Sequence, residues 1–124
     1  NNRFLQIYDN RWKCWLFPYF RSTQNNNKEN IDLSISNLLK IQLSTKYIAQ
    51  AKHCKYSVSD GVYKIYNHKL YMIRLDELPE YMDKDEFEIG DKVFKWLSIG
   101  EMEEDFDIMS KNDDVIAFVK KRCC

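Results

Sequence analysis

The chain has 124 residues, of which 44% are hydrophobic and 15% aromatic, enough apolar material for a folded core and too much for a disordered segment. Nineteen basic residues balance nineteen acidic ones, so the bulk charge gives no support for binding polymeric nucleic acid through its phosphates. The longest apolar stretches, such as residues 15–20, are far too short to cross a bilayer, and no basic segment leads into an apolar run as in a signal peptide.

The opening reads as a hairpin: residues 3–8 alternate around Phe4, Leu5 and Ile7, Asp9-Asn10 turns, and residues 12–20 form a second strand that Pro18 confines to an edge or exit. Residues 22–30 contain nothing apolar and predict the most mobile loop. Ile35, Leu38, Leu39 and Leu43 recur at helical spacing behind Asp32 or Ser34 as caps, and that helix is expected to run on through Tyr47 and Ile48 towards Ala51. Strand character returns over 53–75, broken by turns at Asp60-Gly61 and Asn67-His68. The acidic run 83–88 reads as a solvated loop and 93–99 as a strand. Residues 113–121 read as a helix capped by Ser110 or Asn112, with Lys120, Lys121 and Arg122 suiting its C-terminal dipole. Strands adjacent in sequence, with helices that do not alternate with them, indicate one α+β domain over residues 1–124.

Four cysteines stand at positions 14, 54, 123 and 124 with no C-x-x-C, and His53 and His68 lack the sequence spacing of a zinc site. Cys54 follows His53 directly, which on a strand turns the two side chains to opposite faces. Neither a metal nor another cofactor is expected, and reduced thiols suit a cytoplasmic setting. The chain begins at Asn1, and the expectation is a piece of a longer protein.

Three segments resemble the Nudix family. Trp15-Leu16-Phe17-Pro18 resembles the Trp-x-x-Pro stretch that precedes a Nudix box, the helix around 34–44 stands in the place of the Nudix helix, and Lys95-Trp96-Leu97-Ser98-Ile99-Gly100-Glu101-Met102 is similar to a late segment of the family. The resemblance spans roughly residues 3 to 120 and implies a mixed sheet between helices. The departures are chemical. Tyr19-Phe20 follow Pro18 where glycines would stand, no glycine occurs before Gly61, and residues 37–44 carry Lys40 but no carboxylate. A Nudix hydrolase holds Mg²⁺ on a cluster of glutamates, so the expectation is a non-enzyme. More closely, the chain resembles the degenerate SMODS-associated Nudix domains of CBASS-type effectors in bacterial anti-phage defence. That resemblance implies a sensor for a cyclic di- or trinucleotide that switches an attached effector, often membrane-associated through segments outside this chain.

Such a ligand needs cations for its phosphates and flat apolar faces for its bases. Trp15, Tyr19 and Arg21 share parity on the second strand, and Tyr63, Tyr66, Tyr71 and Arg74 lie on the middle strands, so these seven are the candidate ligand-binding residues. Each has a plainer role available: Trp15, like Trp96, as core, Arg21 as a solvated side chain, and the tyrosines as cross-strand pairs. Two rival functions stand beside the sensor. One is a protein-interaction module, with possible self-association, in which the degenerate pocket is unused. The other is a hydrolase with Glu101, Glu103 and Glu104 as metal ligands.

Overall fold

The structure, a computed structural model, describes residues 3–20, 28–57 and 60–123. Strands β1 (Phe4–Asp9), β2 (Cys14–Leu16), β5 (Glu86–Ile89) and β6 (Lys92–Leu97) form a sheet in the order β2-β1-β6-β5, while β3 (Lys46–Ser57) and β4 (Val62–Met72) pair only with each other. The helices are α1 (Lys28–Leu39), α2 (Ile99–Glu103) and α3 (Phe106–Cys123). The architecture is α+β, as expected. Every pairing among the described residues is antiparallel, so the mixed sheet implied by the resemblance is not present among them.

Alternation along β1 and β6 divides the apolar side chains between two cores. Leu5, Ile7, Phe94 and Trp96 turn to a cluster built on Ile35 and Leu39 of α1, with Met82 and Phe87. Phe4 and Leu97 turn to the opposite cluster, with Met102 of α2 and Ile108, Ile116 and Val119 of α3. Phe94 is fully buried and its ring stacks on Phe87 at 5.3 Å. The Trp96 indole N–H donates to the Met82 carbonyl (2.9 Å), and the Tyr81 hydroxyl donates to the Leu39 carbonyl (2.8 Å), tying α1 and the Glu80–Met82 turn to the sheet. Gly90 has φ 62 at the first position of the two-residue β5–β6 turn, where a hairpin calls for glycine.

Helix α1 starts earlier and stops sooner than its apolar spacing suggests. Lys40 adopts φ 60, and the Ile41 N–H reaches back to the Ser36 carbonyl at 3.2 Å, a left-handed close that ends the helix at Leu39. Tyr47 and Ile48 therefore lie in β3, not in a continuing helix. Three further expectations change. Asn67 and His68 lie inside β4 rather than at a turn, part of the acidic run becomes β5, and β2 is only three residues long. The last helix begins at Phe106, ahead of residue 113. Its geometry breaks at Asn112 (φ −139), so a new helical segment runs from Asp113 onward. Most of the polar loop, residues 21–27, and with it Arg21, lies outside the described residues.

Asp32 staples α1 to the approach of β3. Its carboxylate accepts from Lys28 Nζ (2.7 Å) and from both the Thr45 N–H (2.7 Å) and hydroxyl (2.5 Å). The Lys28 hydrogen bond, followed by those from Thr45, lowers the Asp32 pKa from 3.8 to about 2. The native state thus binds the Asp32 proton less readily than the unfolded chain does. Its contribution to stability is complete above the ordinary carboxylate range and is lost as pH falls through about 2. Asp32→Asn is expected to lower the unfolding midpoint at neutral pH and to flatten the acid-induced loss over that window. Urea titrations at stepped pH check this, and equal acid sensitivity of both proteins would contradict it.

Candidate functional site

The most distinctive surface lies on the β3–β4 ribbon. Its 23 strand residues hold five lysines and no carboxylate, in a chain whose total charge is zero, so the remaining residues carry a formal net charge of −5. Register and alternation sort the ribbon into two faces. The outer face carries the pairs Tyr47–Tyr71, Gln50–Lys69, Lys52–Asn67, Cys54–Ile65 and Tyr56–Tyr63, and nearly all of these side chains are exposed. The inner face carries Ala51, His53, Lys55, Tyr66, His68 and Leu70 towards α3 and its core.

Edge-to-face tyrosine pairs stand at the two ends of the outer face, Tyr47 against Tyr71 at 5.4 Å and Tyr56 against Tyr63 at 5.1 Å. Between them, Lys52 and Lys69 are diagonal neighbours, about 7–8 Å apart by sheet geometry, and neither makes an ion pair with a described residue. By contrast, Lys55 bonds Asp114 at 2.8 Å and Lys64 pairs with Asp60. The row from Tyr47–Tyr71 through Gln50–Lys69 to Lys52–Asn67 thus joins aromatic faces, two carboxamides and two uncompensated ammonium groups within three cross-strand pairs. Chemically it offers stacking for bases, hydrogen bonds for their edges and cations for phosphates.

Of the seven predicted ligand residues, the six that the structure describes do not gather at one place. Tyr71 and Tyr63 share the outer face but sit eight residues apart along β4, roughly 27 Å at strand rise. Arg74 is exposed just beyond the end of β4, on the Tyr71 side. Tyr66 is turned to the inner face, opposite His53, with its ring stacked near His68 at 6.4 Å. Trp15 is taken up by structure: it packs edge-on against Tyr8 at 5.2 Å and borders a core cluster, with the Lys95 ammonium 5.7 Å from its ring centroid. Tyr19 is exposed beyond β2, and its hydroxyl donates to Asp9 Oδ2 at 3.3 Å. Reading single residues missed Lys52, Lys69, Gln50, Asn67 and Tyr47. The signal that finds them is the run of lysines without any carboxylate in two strands joined at Asp60-Gly61.

A second feature is an open depression of about 790 Å³ against α1, lined by Asp32, Leu33, Ser36, Asn37, Lys40 and Leu43 among others. Of the acidic side chains there, Asp32 is already held by Lys28 and Thr45. Two of the three glutamates of the hydrolase reading are similarly engaged. Glu101 closes a capping box with Ser98, whose backbone N–H and hydroxyl hold its carboxyl below the usual range, and Glu103 pairs with Lys120 at 3.1 Å. Comparison with protein-family models, with curated proteins and with solved structures finds no match to this chain. Among the described residues no helix is long and apolar enough to cross a membrane.

Proposed function

We propose that the chain is a Nudix-like sensor domain that holds a cyclic di- or trinucleotide and does not hydrolyse it. The carrying observation is the outer face of the ribbon, where the Tyr47–Tyr71 pair adjoins Lys69 and Lys52 with no carboxylate on the same face. Two ammonium groups at that spacing match a ligand with more than one phosphate, and the tyrosines and carboxamides match its bases. The same reading explains why α1 needs no metal-binding carboxylates: its Asp32 is a structural staple. As the sensing part of a longer effector, the domain would pass the signal on through a change in association or through adjoining segments, including membrane-associated ones.

Thermal unfolding against a panel of cyclic di- and trinucleotides, with linear nucleotides as controls, tests the proposal. A ligand at one hundred times its dissociation constant adds about 2.7 kcal/mol, which moves the midpoint of a domain this size by roughly 8 to 15 °C. The expected result is such a shift with one cyclic species, without Mg²⁺, the nucleotide being recovered intact. Flat curves at high micromolar ligand would end the reading, and a cleaved nucleotide would replace it with hydrolysis.

One observation favours a protein-interaction module instead. At the hairpin end Val62, Tyr63 and Ile65 are all well exposed, with Ile65 at 73%, which is unusual for aliphatic side chains facing water alone. A concentration-dependent oligomer that ignores every nucleotide would carry that alternative.

A further inference from the structure

The inner face of the ribbon brings together groups that the sequence keeps 61 residues apart, His53 and His68 from β3 and β4 and Asp114 from α3. His68 lies opposite Ala51, so it is the diagonal neighbour of His53, and the two rings are 5.0 Å apart. Asp114 stands two residues beyond the break at Asn112, which starts a new helical segment and turns this carboxylate towards the ribbon. One ring nitrogen from each histidine and one carboxylate oxygen all lie within 4.8 Å of one another.

Hydrogen bonding does not satisfy these groups. His53 Nε2, His68 Nδ1 and Asp114 Oδ2 are each buried and find no hydrogen-bond partner among the described residues. The other His53 nitrogen, Nδ1, stands 3.6 Å from Asp114 Oδ2, too long for a hydrogen bond. Three neighbouring side chains that each hold a buried polar atom without such a partner are a costly arrangement to keep without a ligand. Lys55 fixes the carboxylate by taking Asp114 Oδ1 at 2.8 Å and leaves Oδ2 directed at the histidines.

We propose that His53, His68 and Asp114 form a binding site for a divalent transition-metal ion of the zinc type, which clamps the ribbon onto α3. Two imidazoles and one carboxylate are a borderline donor set that selects zinc or cobalt over magnesium. Ligands on a tetrahedral zinc ion stand about 3.4 Å apart, so small side-chain rotations close the observed spacing. Lys55 acts as the outer partner that orients the carboxylate, while its charge keeps the site weaker than an all-cysteine one. Water completes the coordination. The site is independent of the outer face, so the clamp stands or falls without reference to any nucleotide.

The test is titration of the metal-free chain, with Cys54, Cys123 and Cys124 replaced by serine to remove competing thiolates, with Zn²⁺, Co²⁺ and, as control, Mg²⁺. Expected are one equivalent of Zn²⁺ bound, a rise in the unfolding midpoint, no response to Mg²⁺, and a visible Co²⁺ spectrum. His68→Gln and Asp114→Asn should each weaken Zn²⁺ binding by more than the roughly 10- to 100-fold typical of outer partners. Absence of binding at millimolar Zn²⁺, or binding that both substitutions leave unchanged, would overturn the site. Should a variant not fold, the ring-nitrogen resonances of His53 and His68 in the otherwise unaltered chain decide. Shifts that saturate at one equivalent support the clamp, and unmoved resonances refute it.

Discussion

Phe94→Ala is expected to remove about 3–5 kcal/mol of stability, a large part of the roughly 5–15 kcal/mol that holds an ordinary domain together. Phe94 has no exposed surface and stacks on Phe87 across the β5–β6 pair. It lies at the centre of a cluster that takes in Ile35 and Leu39 of α1 and Met82 of the turn before β5. Loss of the ring leaves a cavity that none of these neighbours can fill without moving its own backbone. Denaturant unfolding measures the cost. A loss below 1 kcal/mol would mean that the α1 side of the sheet is loosely packed, contrary to the arrangement described. Phe94→Leu, which keeps much of the volume, should recover a substantial share.

Tyr71→Ala and the charge reversal Lys52→Glu with Lys69→Glu are expected to have the largest effects on ligand binding. Stacking of a base on an aromatic ring is worth about 1–3 kcal/mol, so Tyr71→Ala should weaken a cyclic nucleotide by roughly fivefold to more than a hundredfold. Reversing both lysines places two carboxylates where phosphates would sit, and binding should become undetectable at concentrations that saturate the original chain. Stability changes little by comparison, since both lysines are exposed and unpaired with described residues, and the Tyr47–Tyr71 contact contributes at most about 1 kcal/mol. Isothermal titration of each variant provides the measurement. Affinity untouched by the double reversal would move the ligand elsewhere, with the depression beside α1 as the next place to look.

Much of the frame was legible from residue patterns because its determinants are local. The alternation around Leu5 and Ile7 and the Asp60-Gly61 turn each act within a few positions of the structure they specify. The overrun of α1 has a specific cause. Leu43, Tyr47 and Ile48 continue a helical spacing by coincidence, while the left-handed Lys40 ends the helix without the glycine that usually marks such a close. Reading Asn67-His68 as a turn split β4 in two and concealed the most informative fact about it. Once Asp60-Gly61 alone sets the register, Tyr56 faces Tyr63, His53 faces Tyr66, and His68 falls diagonal to His53 on the same face. The two histidines are 15 residues apart in sequence and have no metal-site spacing, so only the pairing reveals them. Asp114 could not be assigned to them in advance, because nothing local specifies how α3 docks beneath the ribbon.

Five lysines and no carboxylate on the two ribbon strands place the charge of this neutral chain unevenly, although Lys55 and Lys64 are paired with Asp114 and Asp60. An anion approaching the outer face of the ribbon meets Lys52 and Lys69 with no strand carboxylate beside them. Neutrality in total therefore does not mean indifference to charge. If the proposed ligand binds there, its encounter should be faster in dilute buffer and slower as salt shortens the Debye length towards about 8 Å at physiological ionic strength.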